Sequence, residues 1–271
     1  MKKVVRMLGL CALVALAFTA CKKNDTQKVS FTATMPQTTT DARTHVQGMD
    51  LVWDEGNAIA VVNGEGVVKD FTLVSATDKV ATFTAEGDDV AFVQALETAD
   101  YTAFYPNAVE DGNSMRLAIP AEQNYTTFGV FVNDLYPMVG FNDGSNFVFQ
   151  SNCGFLTVSF KAPENESRQI DRVVLIANED IAGDIVYAKD GLSYVFEGAS
   201  NVITMTCEGK QTCYGDLPRD FTFVLPEGVL AQGFTVEVYD GETLLGTFNT
   251  QNPQNVIVAQ TFRNMYSVVL N

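Results

Sequence analysis

Histidine is almost missing from this sequence of 271 residues, which contains only His45. Zinc sites built from several histidines and the HExxH metalloprotease motif are therefore excluded. A Ser-His-Asp triad would have to use His45, which lies in a polar stretch that we predict to be a loop. The sequence also lacks a Gly-x-Ser-x-Gly elbow, and Gly64-Glu65-Gly66 lacks the third glycine of a dinucleotide-binding loop. Composition and motifs thus favour a protein that is not an enzyme.

Positive charge is scarce as well, since 17 Lys and Arg stand against 33 Asp and Glu and the formal net charge is −16. Such a chain repels a phosphate backbone, so we expect no nucleic-acid partner. The acidic residues are scattered, and neighbouring pairs such as Asp54-Glu55 and Glu179-Asp180 are interpreted as solvated turns. A glycosidase would need two carboxylates that face each other across a cleft, which adjacency in sequence does not provide.

Tryptophan is limited to Trp53, which lies in an apolar run and is predicted to be a core residue. Glycan-binding sites typically use exposed aromatic side chains, so this prediction weakens a reading of the chain as a glycan binder. Neither a metal ion nor another cofactor is expected.

No apolar run reaches the roughly 20 residues that a membrane-spanning helix needs. The longest candidate, Met7–Ala20, follows a basic start and ends in small residues, which is the layout of a signal peptide over residues 1–20. Cys21 follows directly, and Phe18-Thr19-Ala20-Cys21 resembles the lipobox of bacterial lipoproteins, in which the cysteine is acylated. The family prefers Leu where Phe18 stands. A plain signal peptide with an incidental cysteine is the alternative.

Few cysteines remain for disulfides in the mature chain. Cys11 leaves with the signal peptide and Cys21 would carry lipid, which leaves Cys153, Cys207 and Cys213, an odd number. A bond between Cys207 and Cys213 across a small hairpin is one interpretation. We favour the other, in which the three are buried free thiols.

From Lys28 onward the apolar residues recur with a period of two, which predicts strands. In the first strand, Val29, Phe31, Ala33 and Met35 share one face. Many further short strands are separated by turn signals such as Asp111-Gly112, and one short helix is predicted at Asp88–Leu96. This pattern predicts an all-β protein of two β-sandwich domains in tandem, of the transthyretin-like or Greek-key type.

The domain boundary is predicted near residue 140, at the turn signals that follow Pro137. Residues 21–140 would form an N-terminal β-sandwich, and residues 141–271 a C-terminal β-sandwich.

Several stretches together resemble the fimbrillin-like lipoproteins of Bacteroidetes, the subunits of type V pili. The stretches that carry the resemblance are Val29–Ala33, Arg43-Thr44, Leu51–Ile59, Tyr101–Pro106, Ile119–Gln123, Phe149–Leu156 and Phe223–Gly228. The resemblance covers nearly the whole mature chain. Each stretch alone is unspecific, and it is the order and spacing of the stretches that indicate the family. Gly56-Asn57 departs mildly from the Gly-Asp that is common in the family.

The resemblance implies two β-sandwich domains and assembly by strand exchange with other fimbrial subunits. An arginine-specific protease would cut after the first strand, and Arg43-Thr44 fits this cut because Arg43 is the only arginine between Arg6 and Arg116. An ordinary loop arginine is the alternative. The tail segments Val256–Ala259 and Tyr266–Leu270 would either donate a strand or complete the chain's own sheet.

We therefore expect a fimbrial subunit that is anchored through Cys21 to the cell outer membrane, exposed on the surface, or found in the fimbrium after processing. A tip or accessory position is compatible with this, and a host or bacterial surface ligand would be a further partner. The alternative is a stand-alone surface lipoprotein that binds glycans.

Overall fold

The fold is described by a computed structural model in which nearly all defined elements are β-strands, so the predicted all-β class is confirmed. No helix in the described part of the chain is both long and apolar enough to cross a membrane. The described residues are 29–36, 39–40, 53, 55–77, 79–85, 92, 100–106, 108–125, 135–265 and 267–271.

The strands are numbered in chain order. In the first half they are β1 (Val29–Thr34), β2 (Thr39–Thr40), β3 (Ala58–Val62), β4 (Val68–Thr77), β5 (Val80–Ala85), β6 (Thr102–Tyr105), β7 (Val109–Asp111), β8 (Ser114–Ile119), β9 (Glu122–Tyr125), β10 (Met138–Asp143) and β11 (Asn146–Gln150). In the second half they are β12 (Cys153–Lys161), β13 (Ser167–Ala177), β14 (Ala182–Ala188), β15 (Tyr194–Ser200), β16 (Val202–Tyr214), β17 (Arg219–Pro226), β18 (Phe234–Asp240), β19 (Thr243–Thr250), β20 (Thr261–Asn264) and β21 (Val268–Val269), with a short 3-10 helix at Pro253–Asn255.

The first sheet is a closed barrel in the order β1-β11-β10-β6-β3-β4-β5, in which β5 pairs back with β1. This differs from the open sandwich predicted for the N-terminal half. Closure depends on the parallel pairing of β1 with β11, which are far apart in the chain, whereas the other barrel neighbours are antiparallel. Local periodicity cannot predict such a contact, because it indicates which face of a strand is buried and not which strands are neighbours.

Within the described ranges, three further sheets accompany the barrel. One has the order β17-β12-β20-β2 with β21 also paired to β12, one has the order β19-β18-β13-β16-β9, and one has the order β15-β14-β8-β7. The last of these joins strands from both halves of the sequence. Its inward side chains Met115, Leu117 and Tyr187 belong to the same apolar cluster as the barrel interior, so this sheet covers the barrel.

Two apolar clusters form the cores, and β12 lies between them. Cys153 and Phe155 belong to the barrel cluster, while Leu156 and Val158 belong to the second cluster. Successive residues of a strand point to opposite faces, so burial on both faces explains the continuous apolar run in β12. The predicted boundary after residue 140 falls inside β10, within the barrel, and the division into two domains stays a prediction.

Turn predictions are confirmed where Asp-Gly pairs join strands. Gly112, Gly144, Gly191 and Gly241 have φ between 58° and 71°. A glycine at the second position tolerates this left-handed backbone, which a tight hairpin requires.

Two predicted segments differ from the structure or fall outside it. Val256–Ala259 forms no strand, because Ile257 bonds with the turn that contains Val229 and the tail strand begins only at Thr261. Of the helix predicted at Asp88–Leu96, only the buried Phe92 lies among the described residues.

Candidate functional site: the strand that closes the barrel

The first strand, β1, lies between β5 and β11 and closes the barrel. It pairs antiparallel with β5 over six residues, from Val29 opposite Ala85 to Thr34 opposite Val80. On its other side it pairs parallel with β11, where Thr32 is opposite Asn146. Within the described residues, β1 is the link between β5 and β11, so its removal would leave two strand edges unpaired.

The described side chains on the inward face of β1 are apolar, as its alternation predicts. Phe31 and Ala33 are fully buried and Met35 is 2% exposed, while Ser30 is exposed and Thr32 and Thr34 are half-buried. The side chain of Val29 lies outside the described part. This arrangement places the apolar half of the strand in the barrel core and the hydroxyl half towards the surface.

Phe31 is the aromatic centre of this face. Its ring centroid lies 5.0 Å from that of Phe71, 5.5 Å from that of Tyr101 and 4.9 Å from that of Phe147, with tilted or edge-on geometries. Burial of a phenylalanine side chain is worth about 1.5–3 kcal/mol, and aromatic pairs in these geometries add to it. Phe31 thus contributes a large share of the binding of β1 to the barrel.

Polar contacts fix the register of β1. The backbone N–H of Thr32 donates to the carbonyl of Ser145 at 2.9 Å. On the outer face, the hydroxyls of Thr32 and Thr34 donate to Oδ1 of Asn146 at 2.9 Å and 3.4 Å. A slip by one residue would place apolar side chains beside this amide and hydroxyls in the core.

The end of β1 is held through the carbonyl of Lys79. This oxygen accepts from the backbone N–H of Met35 at 2.9 Å and from Nε1 of Trp53 at 3.1 Å. Trp53 is 5% exposed and packs against Phe83, Tyr105 and Phe149. The prediction that Trp53 is a core residue is confirmed.

The chain then leaves the barrel and reaches another sheet. In β2, Thr39 and Thr40 pair parallel with Thr261 and Phe262 of β20, near the C-terminus. The segment of residues 29–40 therefore contacts two different sheets, and Thr40 is the last described residue before a gap that contains residue 43.

The residues predicted to be processed lie outside the described part of the chain. These are Cys21 with the signal peptide of residues 1–20, and the cut at Arg43 and Thr44. His45, considered for a catalytic triad, also lies outside the described part. The sequence also gave no signal for the role of Asn146, because its contacts with Thr32 and Thr34 depend on pairing across more than 110 residues.

The chain's tail is paired within the chain itself. Both β20 and β21 pair parallel with β12. The N–H of Leu270 donates to the carbonyl of Lys161 at 2.8 Å, and the N–H of Asn271 donates to the carbonyl of Leu245 at 2.9 Å. Arg168 Nε donates to the carbonyl of Asn271 at 2.5 Å. Of the two roles considered for the tail, completing the chain's own sheet is the one that these contacts support.

The cysteines of the described residues, Cys153, Cys207 and Cys213, are free and buried, as favoured from the sequence. Cys213 pairs with Arg168, whereas Thr206, next to Cys207, pairs with Arg172. Cys207 therefore lies about three residues along β13 from the partner of Cys213, or ~10 Å, which is beyond the roughly 7 Å that a disulfide allows between Cα atoms. Burial raises the pKa of Cys153 well above its usual range and that of Cys207 to about 12, so both are unreactive thiols.

A depression of about 420 Å³ lies on the outer surface of the sheet that contains β14 and β15. Its two carboxylates, Asp184 and Glu197, both contact Arg116 Nη1, at 3.4 Å and 2.7 Å, and Asp111 binds Arg116 Nε at 2.8 Å. Because one guanidinium holds both carboxylates on a single exposed face, they do not face each other across a cleft as a glycosidase requires. No group of three or more side chains suited to hold a metal occurs in the described ranges.

Comparisons with known proteins address the fold. No protein-family model and no curated protein matches the sequence. Among solved structures, a "putative cell adhesion protein" from Bacteroides uniformis aligns with a TM-score of 0.54 and 14% identity over 89% of this chain and 92% of that one. A second, from Bacteroides ovatus, gives 0.54 and 13% over 91% and 93%.

A fimbrial protein from Bacteroides ovatus aligns with a TM-score of 0.44 and 11% identity over 91% of this chain and 51% of its own length. At identities this low, similarity concerns the fold. The two alignments with a TM-score of 0.54 support the resemblance at the level of the fold. This chain has the fold of the Bacteroides proteins described as cell adhesion proteins.

Proposed function

We propose that this chain is a structural and adhesive subunit of a cell-surface fimbria, assembled by strand exchange after proteolysis. The observation that carries the proposal is the position of β1, an apolar first strand that closes a barrel between β5 and β11. Such a strand can be replaced by one from another chain without altering the remaining sheet. The names of proteins that share the fold, which concern cell adhesion, support the same role.

The route begins at the membrane. The signal peptide directs export, and acylation of Cys21 anchors the chain to the outer membrane, where more than one acyl chain gives stable attachment. A protease then cuts between Arg43 and Thr44, only a few residues after β2. After the cut, β1 and β2 are no longer covalently linked to the rest of the protein and remain bound to it only through non-covalent contacts.

The released strand leaves a groove that a strand from another subunit fills. Main-chain hydrogen bonds to β5 and β11 would supply affinity, and the contacts around Phe31 would supply register. Because β20 and β21 are already paired with β12, the chain would accept a strand without donating one. This supports a tip or accessory position, where adhesion to a host or bacterial surface ligand would also take place.

The experiment compares Arg43→Ala with wild type in cells that make fimbriae. We expect wild type to start at Thr44 and to enter high-molecular-weight assemblies, and Arg43→Ala to stay a full-length monomer. Lys28→Ala is the matched control, because it removes a positive charge from the same segment without removing the arginine. Assembly of Arg43→Ala at the wild-type level with the wild-type N-terminus would refute the proposed switch. A monomeric wild type that is retarded in glycan affinity gels would support the glycan-binding alternative.

A further inference from the structure

We propose that the groove closed by β1 selects its replacement strand by a five-residue pattern. The pattern is an aromatic residue, a hydroxyl residue, an alanine-sized residue, a second hydroxyl residue and an apolar residue whose backbone N–H can donate a hydrogen bond. The inference rests on the proposed strand exchange and identifies its partner. In β1 and the residue that follows it, this pattern is Phe31-Thr32-Ala33-Thr34-Met35. The partner is a segment of a different chain that carries this pattern.

The direction of the incoming strand follows from the two edges. β1 makes six antiparallel pairs with β5 and three parallel pairs with β11. A strand that runs in the direction of β1 restores both ladders, whereas a reversed strand would turn the longer ladder into a parallel one. Antiparallel pairing is slightly more stable per residue, so the groove favours the direction of β1.

The aromatic and small positions are set by what surrounds them. Phe31 fills a space among three rings whose centroids lie within 5.5 Å of its own. Ala33, fully buried, has Ala81 opposite it on β5 and Phe147 opposite it on β11. Residues directly opposite each other have Cβ atoms only about 5 Å apart, so a larger side chain at this position would overpack the barrel.

The end of the pattern needs a backbone donor. The carbonyl of Lys79 is shared between the N–H of Met35 and Trp53 Nε1. A proline at the position of Met35 would remove one of these bonds, whereas Pro36, one residue later, ends the segment where no such donor is needed. The Met35 side chain itself is buried and belongs to the apolar cluster of the barrel.

The two hydroxyl positions both form hydrogen bonds with Asn146. Its Oδ1 accepts hydrogen bonds from the hydroxyls of both Thr32 and Thr34, so one amide favours a hydroxyl at two alternate positions of the strand. A strand with valine at both positions would keep its β-propensity and shape but would lose both bonds. A strand shifted by one residue would fail at all five positions together.

The same pattern argues against the tail of a second copy of this chain as the donor. In its tail, Tyr266-Ser267-Val268-Val269-Leu270 begins with an aromatic and a hydroxyl residue. Val268 then stands at the alanine-sized position and Val269 at the second hydroxyl position. The β-branched side chain at the small position is the more severe mismatch.

The test uses the full chain with a specific protease site placed between Arg43 and Thr44 and a fluorescent label upstream of β1. After the cut, synthetic peptides compete for the groove and release of the labelled strand is measured. A peptide of residues 29–36 is expected to displace it. An Ala33→Leu peptide should need at least about tenfold higher concentration for the same displacement. A Thr32→Val/Thr34→Val peptide should need a concentration several-fold higher than the native peptide. A peptide of residues 264–271 is expected to compete poorly.

A second protein variant isolates the role of Asn146. In Asn146→Ala, most of the difference between the native and the double-valine peptides should disappear, because the acceptor shared by Thr32 and Thr34 is gone and only the 3.4 Å contact of the Thr32 hydroxyl with the carbonyl of Ser145 remains. The Ala33→Leu penalty should be unchanged. Equal competition by all alternating apolar peptides would overturn the pattern but leave strand exchange intact. Failure of every peptide, the native one included, would count against strand exchange itself. Effective competition by residues 264–271 would show self-assembly and overturn the assignment of a different chain.

Discussion

The rings of Phe31 and Phe147 lie 4.9 Å apart, one in the first strand of the chain and the other in β11, its parallel neighbour. This contact joins the start of the described chain to a hairpin that forms more than 100 residues later. It belongs to the same cluster as the rings of Phe71 and Tyr101. The stability of the barrel therefore depends on a strand that the proposed processing would detach.

Phe31→Ala should lower the free energy of unfolding by about 3–5 kcal/mol, because it leaves a cavity among three aromatic rings. Ser30→Ala is the matched control: its side chain is exposed on the opposite face, and the change should stay within about 0.5 kcal/mol. Urea titration followed by circular dichroism measures both. Equal effects of the two substitutions would contradict the assigned orientation of β1.

Gly154→Ala should disturb the tail, because a Cβ at this position would lie 2.2 Å from the carbonyl oxygen of Val258 and 2.8 Å from Ile257 Cγ2. We expect a loss of about 1–3 kcal/mol in stability and faster hydrogen exchange in residues 257–264. Gly64→Ala is the control, since its nearest contact would be an oxygen 3.9 Å away. An unchanged exchange rate in the tail of Gly154→Ala would show that the tail is not packed on β12.

The buried thiols should make stability depend on alkaline pH. Burial raises the pKa of Cys207 from 9.0 to about 12, so the folded state keeps a proton that the unfolded chain releases above about pH 9. The free energy of unfolding should therefore fall between about pH 9 and 12, with a slope of up to about 1.4 kcal/mol per pH unit from this thiol. Cys207→Ala should show a shallower decline, and an identical slope in the variant would disprove this origin.

The same burial should protect the thiols from reagents at neutral pH. Cys153 is fully buried and its pKa is raised well above the usual range by burial. We expect negligible reaction of the native mature protein with a thiol reagent at pH 8 and rapid reaction in urea. Fast labelling of Cys153 in the native state, located by mass spectrometry, would contradict the structure.

Cys21→Ser should abolish incorporation of a palmitate analogue in cells, because the proposed lipid is attached to this thiol. Cys11→Ser is the matched control, since Cys11 lies within the predicted signal peptide and should leave labelling unchanged. In-gel fluorescence after click labelling measures both. Wild-type labelling of Cys21→Ser would refute acylation at this position and, with it, the proposed anchor.

Several features could be predicted from the sequence because they depend on local chemistry. The alternation of Phe31 and Ala33 with Thr32 fixes which face of β1 is buried, whatever strands lie beside it. Asp143-Gly144 predicts a hairpin because glycine tolerates the positive φ that the turn needs. The odd number of cysteines after removal of Cys11 and Cys21 favours free thiols, and Cys153, Cys207 and Cys213 are free.

Only the tertiary structure decided which strands are neighbours. The parallel pairing of β1 with β11, the role of Asn146 as acceptor for two threonines, and the docking of β2 on β20 all join residues more than 100 positions apart. An alternating strand presents the same apolar face to any partner, so its sequence determines burial but not pairing. The closed barrel, and the groove that β1 fills within it, arise from long-range complementarity of faces that local periodicity does not encode.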